Sequence, residues 1–243
     1  MLPAPDRAAF LEAYEAGRPQ VVWTTFVADL ETPVSALLKL AHGRPYAFLL
    51  ESVEGGAVRG RYSIIGMKPD LVWRCRGARA EINRRARAER DAFEPEPLPS
   101  LDSLRALLGE SRIAMPPGLP PPAAGLFGYM AYDMVRLVER LPESKPDPLG
   151  LPDAVFVRPS IVAVFDNLAD SVTLVTPVRP EPGLSGPRAW ELARERLAEA
   201  VEEFDRGIRH EPPRREAVAV TPRAHTSPEA FEAMVRRCKE YIA

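Results

Sequence analysis

LLESVEGGAVRGRYSIIG (49–66) is the stretch on which the fold turns. An apolar run ends in Glu51-Ser52, crosses a turn containing Gly55 and Gly56, and returns through Arg59 and Arg61 into a second apolar run. Two such runs joined by a short glycine-rich turn spell an antiparallel hairpin. The carboxylate, hydroxyl and guanidiniums at its open end admit three roles: a phosphate cradle, a plain hairpin whose charges fix its register, or a pocket for a ligand carrying both charges.

The phosphate role fails on residue type. Gly55 and Gly60 have the G-x-x-x-x-G spacing of a P-loop, but Arg61-Tyr62 stand where Lys and Ser/Thr must reach phosphate and magnesium. Tyr62-Ser63-Ile64-Ile65 reads as a strand, not as the helix whose N-terminus would hold the anion. The other two roles stay open. A free amino acid needs acceptors for its ammonium and donors for its carboxylate. Glu51 can accept, Ser52 and Arg61 can donate, and Tyr62 can wall an aromatic side chain. Equally, Glu51 facing Arg59 or Arg61 across the hairpin would fix its register and nothing more.

Working outward, the pattern predicts a helix over 6–16 stopped by Gly17, a strand over 21–28, and a helix opened by Thr32-Pro33 and ended near Gly43. Strands are expected at 46–52, 61–67, 71–77 and 78–84, and a short helix capped by Ser100 and closed by Gly109. The segment 125–142 begins glycine- and aromatic-rich and turns helical near Asp133. A hairpin is expected over 155–176 with Asp166-Asn167 in its turn. Its arms are apolar on both faces, so it belongs inside an assembly of strands. A helix over 187–207 carries Trp190, Ala193, Leu197, Ala200, Val201 and Phe204 as its stripe. Linkers are expected at about 86–99, 115–124 and 208–225. The helix from 227 keeps Phe231, Met234, Val235, Cys238, Tyr241 and Ile242 in phase to the last residues, the pattern expected of a longer polypeptide cut short. The fold class is α+β, largely antiparallel sheet with flanking helices.

Composition excludes more than it identifies. With 32 basic against 34 acidic residues the net charge is -2, which argues against a general polyanion binder. Seven arginines lie between Arg74 and Arg90, interleaved with Glu81, Glu89 and Asp91 and with no aromatic side chain among them. That mixture is the rim of a solvated hairpin. No apolar run is long enough for a membrane span, and the N-terminus lacks the apolar centre of a secretory signal. Cys75 and Cys238 are too few for a disulfide framework, so a reducing cytoplasm is the expected compartment. No nucleophile elbow, metal-ligand spacing or internal repeat is present, and no catalytic residue stands out.

The block LLESVEGGAVRGRYSIIG with PDLVWRCRG, the segment GLFGYMAYDMVRLVERLP and the helix FEAMVRRCKEYIA together resemble the N-terminal portion of the anthranilate synthase component I family, across essentially the whole chain. A looser form of the pattern occurs in aminodeoxychorismate synthases. The resemblance implies an N-terminal regulatory region, 1–243, of the α/β sandwich of the chorismate-utilising enzymes. It implies part of an L-tryptophan feedback site at Leu50, Glu51, Ser52, Arg59, Gly60, Arg61 and Tyr62, with Ser52 the most direct match. It further implies a parent that converts chorismate to anthranilate with Mg²⁺ and draws ammonia from a glutamine amidotransferase subunit. The catalytic, chorismate-binding half would lie beyond residue 243, leaving this chain inactive alone, without cofactor, nucleic-acid or membrane contacts. The remaining alternative is a non-catalytic interaction module.

Overall fold

The computed structural model describes residues 3–41, 43–54, 58–142, 146–208 and 221–242; at 52–54, 58, 59 and 121 only the backbone is described. The chain divides into two compact units, residues 1–209 and 210–243. Much of the expected 208–225 linker, with the Gly55-Gly56 turn, lies outside the described residues.

The first unit is built on one eight-stranded antiparallel sheet. Its spine is a pair of long strands, β3 (Val58–Arg76) and β7 (Ala154–Asp166), in register from Tyr62 opposite Asp166 to Cys75 opposite Ala154. The expected strands at 61–67 and 71–77 are therefore one strand. What the sequence showed as a break at Lys68-Pro69-Asp70 is a bulge: Pro69 faces Pro159, and the next pair is Leu71 with Arg158. Two facing prolines contribute no backbone N–H, so the ladder gives way there without losing a donor. Ser160 Oγ donates to the Lys68 carbonyl across the gap, and Lys68 has a positive φ of 50°.

On one side of this pivot, β2 (Phe48–Glu54) flanks β3, while β8 (Ser171–Val178) and then β1 (Gln20–Val27) flank β7. On the other side β4 (Arg79–Asn83) flanks β3 and the two-residue β5 (Glu94–Pro95) flanks β4, while β6 (Phe127–Met130) flanks β7. The expected hairpin at 155–176 is present, and its two-faced apolar arms are explained by cover on both sides. On one face Ile65, Met67, Ile161, Ala163 and Phe165 meet α1 (Arg7–Glu15), α2 (Pro33–Ala41) and α4 (Gly186–Asp205). On the other, Ile64, Val162 and Val164 lie under Ile113, Met115, Leu119 and Ala123. The proline-rich 115–124 segment, read as a linker, thus covers part of the core.

Local chemistry explains the helix ends. Asp6 accepts from Ala9 N–H at 2.9 Å at the start of α1. Thr32 and Ser35 bond reciprocally, each side-chain oxygen taking the other's backbone N–H, to open α2. Ser100 departs from expectation: it lies inside α3 (Ser100–Ser111) and its hydroxyl donates to the Gly77 carbonyl, while Pro99 holds the cap position. Gly109 lies within the same helix. The segment near Asp133 forms 3-10 turns over Tyr132–Leu137 rather than an α-helix.

A second core lies beyond the pivot, where Trp73 of β3 and Ile82 of β4 pack against Leu104 and Leu107 of α3. The buried indole N–H donates to Ser103 Oγ at 2.9 Å, and that hydroxyl donates to Glu96 at 2.8 Å. Residues 94–96, expected to be a spacer, are therefore tied into the sheet and to α3. The arginine-rich rim is paired as its mixed charge suggested: Arg74 with Glu81, Arg84 with Glu110, Arg85 with Glu89. Phe93, just beyond that run in sequence, lies 3.6 Å beneath the Arg74 guanidinium.

The second unit, among its described residues, is α5 (Pro228–Ile242), with Phe231, Met234, Val235, Cys238, Tyr241 and Ile242 on one face. Among the described residues of that unit, nothing buries that stripe.

Candidate functional site

The open end of the first hairpin is irregular. From Phe48 opposite Gly66 the two strands keep register to Glu51 opposite Ser63; the next pair is Val53 opposite Arg59. One residue of β2, Ser52, therefore stands opposite three of β3: Gly60, Arg61 and Tyr62. A bulge of that size takes backbone groups out of the ladder and re-aims the strand. It lies on β2, which among the described residues pairs only with β3 and is an edge of the sheet.

The turn after β7 holds the bulge from behind. Asn167 N–H donates to the Arg61 carbonyl at 2.8 Å, and its side-chain amide donates to the Gly60 carbonyl at 2.9 Å. Asp166 takes the Arg61 guanidinium two-pronged, with Nε 3.2 Å from each oxygen and Nη2 at 2.9 Å. Asp166 Oδ1 also accepts from Leu168 N–H at 3.1 Å, closing the turn. The Arg61 hydrogen bonds, outweighing a slight burial penalty, hold the Asp166 carboxyl below the usual aspartate range; the same pairing raises Arg61. The Arg61 guanidinium lies 4.9 Å over the Tyr62 ring. A cleft of about 410 Å³ adjoins the pair, lined also by Asp29, Glu31 and Thr32.

Each sequence-derived residue can now be placed. Leu50 stands opposite Ile64 and is 49% exposed, an apolar surface beside the bulge. Glu51 is exposed and faces Ser63; Arg59 pairs with Val53, so the reading in which Glu51 fixes register against Arg59 or Arg61 does not hold. Ser52 and Arg59 are placed by their backbone alone. Gly60 is buried, and Tyr62 is half-buried at the margin of the core cluster that holds Ile64, Val162 and Val164. Arg61 already grips a carboxylate, that of Asp166. Six of the seven lie at or beside one bulge, and Arg59 opens the pairing beyond it.

Asp166 and Asn167 were missed as members of this constellation. The sequence marked them as a turn, but no local signal connects a turn to residues 105 and 107 positions away.

The arrangement offers backbone hydrogen-bonding groups, an exposed carboxylate and apolar walls. It has the chemistry to hold a small polar molecule with an apolar body, and its described side chains present no nucleophile–base pair. Residues 59–243 match the family of chorismate binding enzymes. The chain belongs to that family. Anthranilate synthase component 1 of Cereibacter sphaeroides is 50% identical over 238 residues, covering 96% of this chain and 47% of that protein. The Thermus thermophilus protein of the same name is 43% identical over 192 residues, covering 70% of this chain and 38% of its own length. The chain thus spans less than half of either relative. A crystal structure of anthranilate synthase component I from Streptococcus pneumoniae TIGR4 aligns over 88% of this chain and 44% of that one, with a TM-score of 0.49 and 21% identity. So loose a likeness adds nothing to the fold, which rests on the sheet itself.

No group of three or more His, Cys, Asp or Glu side chains among the described residues has the arrangement of a metal site. No helix of the described residues is long and apolar enough to cross a membrane.

Proposed function

We propose that the chain is the N-terminal half of an anthranilate synthase component 1, and that the bulge between β2 and β3 is this half's share of an L-tryptophan feedback site. The relative that is 50% identical over 96% of the chain carries the reading. The gathering of Leu50, Glu51, Ser52, Gly60, Arg61 and Tyr62 at one irregular edge supports it. On this reading the parent, a lyase of the cytoplasm, aminates chorismate and eliminates pyruvate using Mg²⁺ held by its other half. A glutamine amidotransferase subunit supplies the ammonia, and the present chain alone is inactive. Tryptophan inhibits only if it binds an inactive state more tightly than the active one. The Arg61–Asp166 pair then acts by holding the bulge in shape rather than by gripping the ligand's carboxylate.

The test is the parent enzyme carrying Ser52→Ala, assayed for anthranilate formation against L-tryptophan, with calorimetry of the 243-residue chain alongside. Loss of one buried hydrogen bond to the ligand weakens inhibition about tenfold with little change in uninhibited rate. Inhibition unchanged by the substitution would falsify the site.

A further inference from the structure

The pivot of the spine holds a cavity that the feedback reading does not use. It measures about 400 Å³ and lies where α1 and β1, the pivot residues of β3 and β7, and α3, β8 and α4 converge. Four arginines line it, Arg87, Arg158, Arg179 and Arg196, against three carboxylates, Asp70, Glu110 and Glu181. The carboxylates are mostly committed. Asp70 takes Arg158 two-pronged, at 2.9 and 3.2 Å. Glu110 reaches Arg158 at 3.2 Å but also takes a fifth arginine, Arg84, at 2.7 and 2.9 Å. Glu181 is exposed.

Arg179 and Arg196 are left with little. Arg179 Nη2 donates to the Ser111 carbonyl at 3.0 Å, while its Nε is buried with no protein partner. Arg196 reaches Thr176 Oγ1 at 3.5 Å. Neither has a carboxylate within 4 Å among the described residues. Burial, reinforced by the neighbouring Arg158, pushes Arg179 down to about 10; burial and Arg87 push Arg196 the same way. Guanidiniums held out of water beside other guanidiniums are unfavourable unless an anion joins them. Their planar forks suit an oxyanion bound by two oxygens at once.

We propose that this cavity is a binding site for a small oxyanion, a phosphate or carboxylate group, seated on Arg179 and Arg196. The site is separate from the bulge: Arg158 and Asp166 are eight residues apart on β7, about 26 Å of extended strand. Arg87 and Arg196 also line an adjoining cleft of about 390 Å³, so the ligand carrying the anion has room to extend.

The test uses the 243-residue chain, titrated with inorganic phosphate and with malonate by calorimetry and by thermal unfolding, against sodium chloride at matched ionic strength. Saturable binding at one site per chain is expected for at least one of the two anions, with the tighter one naming the group. Arg179→Met and Arg196→Gln each weaken that binding about tenfold or more. Without the anion, Arg179→Met melts no lower than the parent chain, because it removes an unpartnered charge; with the anion the order reverses. A purely structural role for Arg179 gives a lower melting temperature in both conditions, which overturns the proposal. A gradual rise in stability equal under chloride, or undiminished binding in Arg196→Gln, overturns it as well. If Arg179→Met does not fold, the Arg196→Gln titration decides alone.

Discussion

Glu203→Gln tests how the helical layer is fastened to the sheet. Glu203 lies on α4 with its side chain 5% exposed. Arg44, just after α2, reaches its two oxygens at 2.5 and 2.8 Å, and Lys68, at the pivot of β3, approaches to 3.4 Å. One carboxylate thus joins three elements that the sequence places far apart. Removing one partner of a fully buried pair costs about 3–5 kcal/mol. Here the orphaned Arg44 is 36% exposed and can rehydrate, so the loss should be about 2 kcal/mol. For a domain of this size that is a fall of about 4–8 °C in melting temperature. The pH dependence has a fixed sign. Burial raises the Glu203 carboxyl, but the Arg44 hydrogen bond and the Lys68 charge outweigh it, and the folded value lies below 4.5. A depressed folded value means the stabilisation is complete above the unfolded value and lost as pH falls through the folded one. Urea unfolding of both proteins should therefore show the full gap at pH 7, narrowing steadily below pH about 4.5. A gap that stays constant from pH 7 to pH 3.5, or no gap at pH 7, would refute the reasoning.

Two further substitutions probe the other half of the sheet. At Gly128 in β6 an added Cβ would lie 1.8 Å from the Val155 carbonyl oxygen, a backbone atom that cannot swing away. Gly128→Ala should detach β6 from β7 and speed amide exchange across Phe127–Met130 relative to the β1–β8 pair; unchanged protection there would show the strand is not held so closely. Trp73→Ala should cost about 3–5 kcal/mol, combining a large cavity with a lost hydrogen bond to Ser103. Trp73→Phe should recover more than half of that, measured by urea midpoint, and equal losses for both would mean the polar contact dominates.

The elements with their own period were legible: the apolar stripe of α4, the caps of α1 and α2, and the two-faced hairpin of β7 and β8 all follow from spacing. What was not legible depends on partners distant in sequence. Pro69 looked like a strand break because a proline in a strand usually is one; only Pro159 on the neighbouring strand makes the pair tolerable in mid-sheet. The proline-rich 115–124 segment looked like a linker because extended prolines need no partner, yet its few apolar side chains sit on Val162 and Val164. At the candidate site, the residue types and their clustering at a strand end were readable. The bulge itself was not, since register is set by both strands. Nor was the Asp166 contact, which on the proposed reading turns Arg61 from a ligand donor into part of the scaffold.

That change bears on what this chain can bind by itself. A small ligand is held well when most of its surface is covered. The bulge lies on an edge strand, with Leu50 half exposed and, among the described residues, no further strand beyond β2. An indole side chain presents roughly 200 Å² of surface. If one edge covers half of it, about 100 Å² stays wet, which forgoes about 2.5 kcal/mol of burial. That is a factor of about 70 in affinity, so the isolated chain should bind L-tryptophan at least about 70-fold more weakly than the parent. The missing energy is then supplied by whatever closes over the bulge, and by linkage the ligand strengthens that closure by the same amount. On the proposed reading, a site divided this way would make tryptophan a fastener between two parts of the parent, as an inhibitor acting on the relative state of those parts requires. Equal affinities for chain and parent would show instead that the bulge encloses its ligand alone, and coupling would have to arise elsewhere.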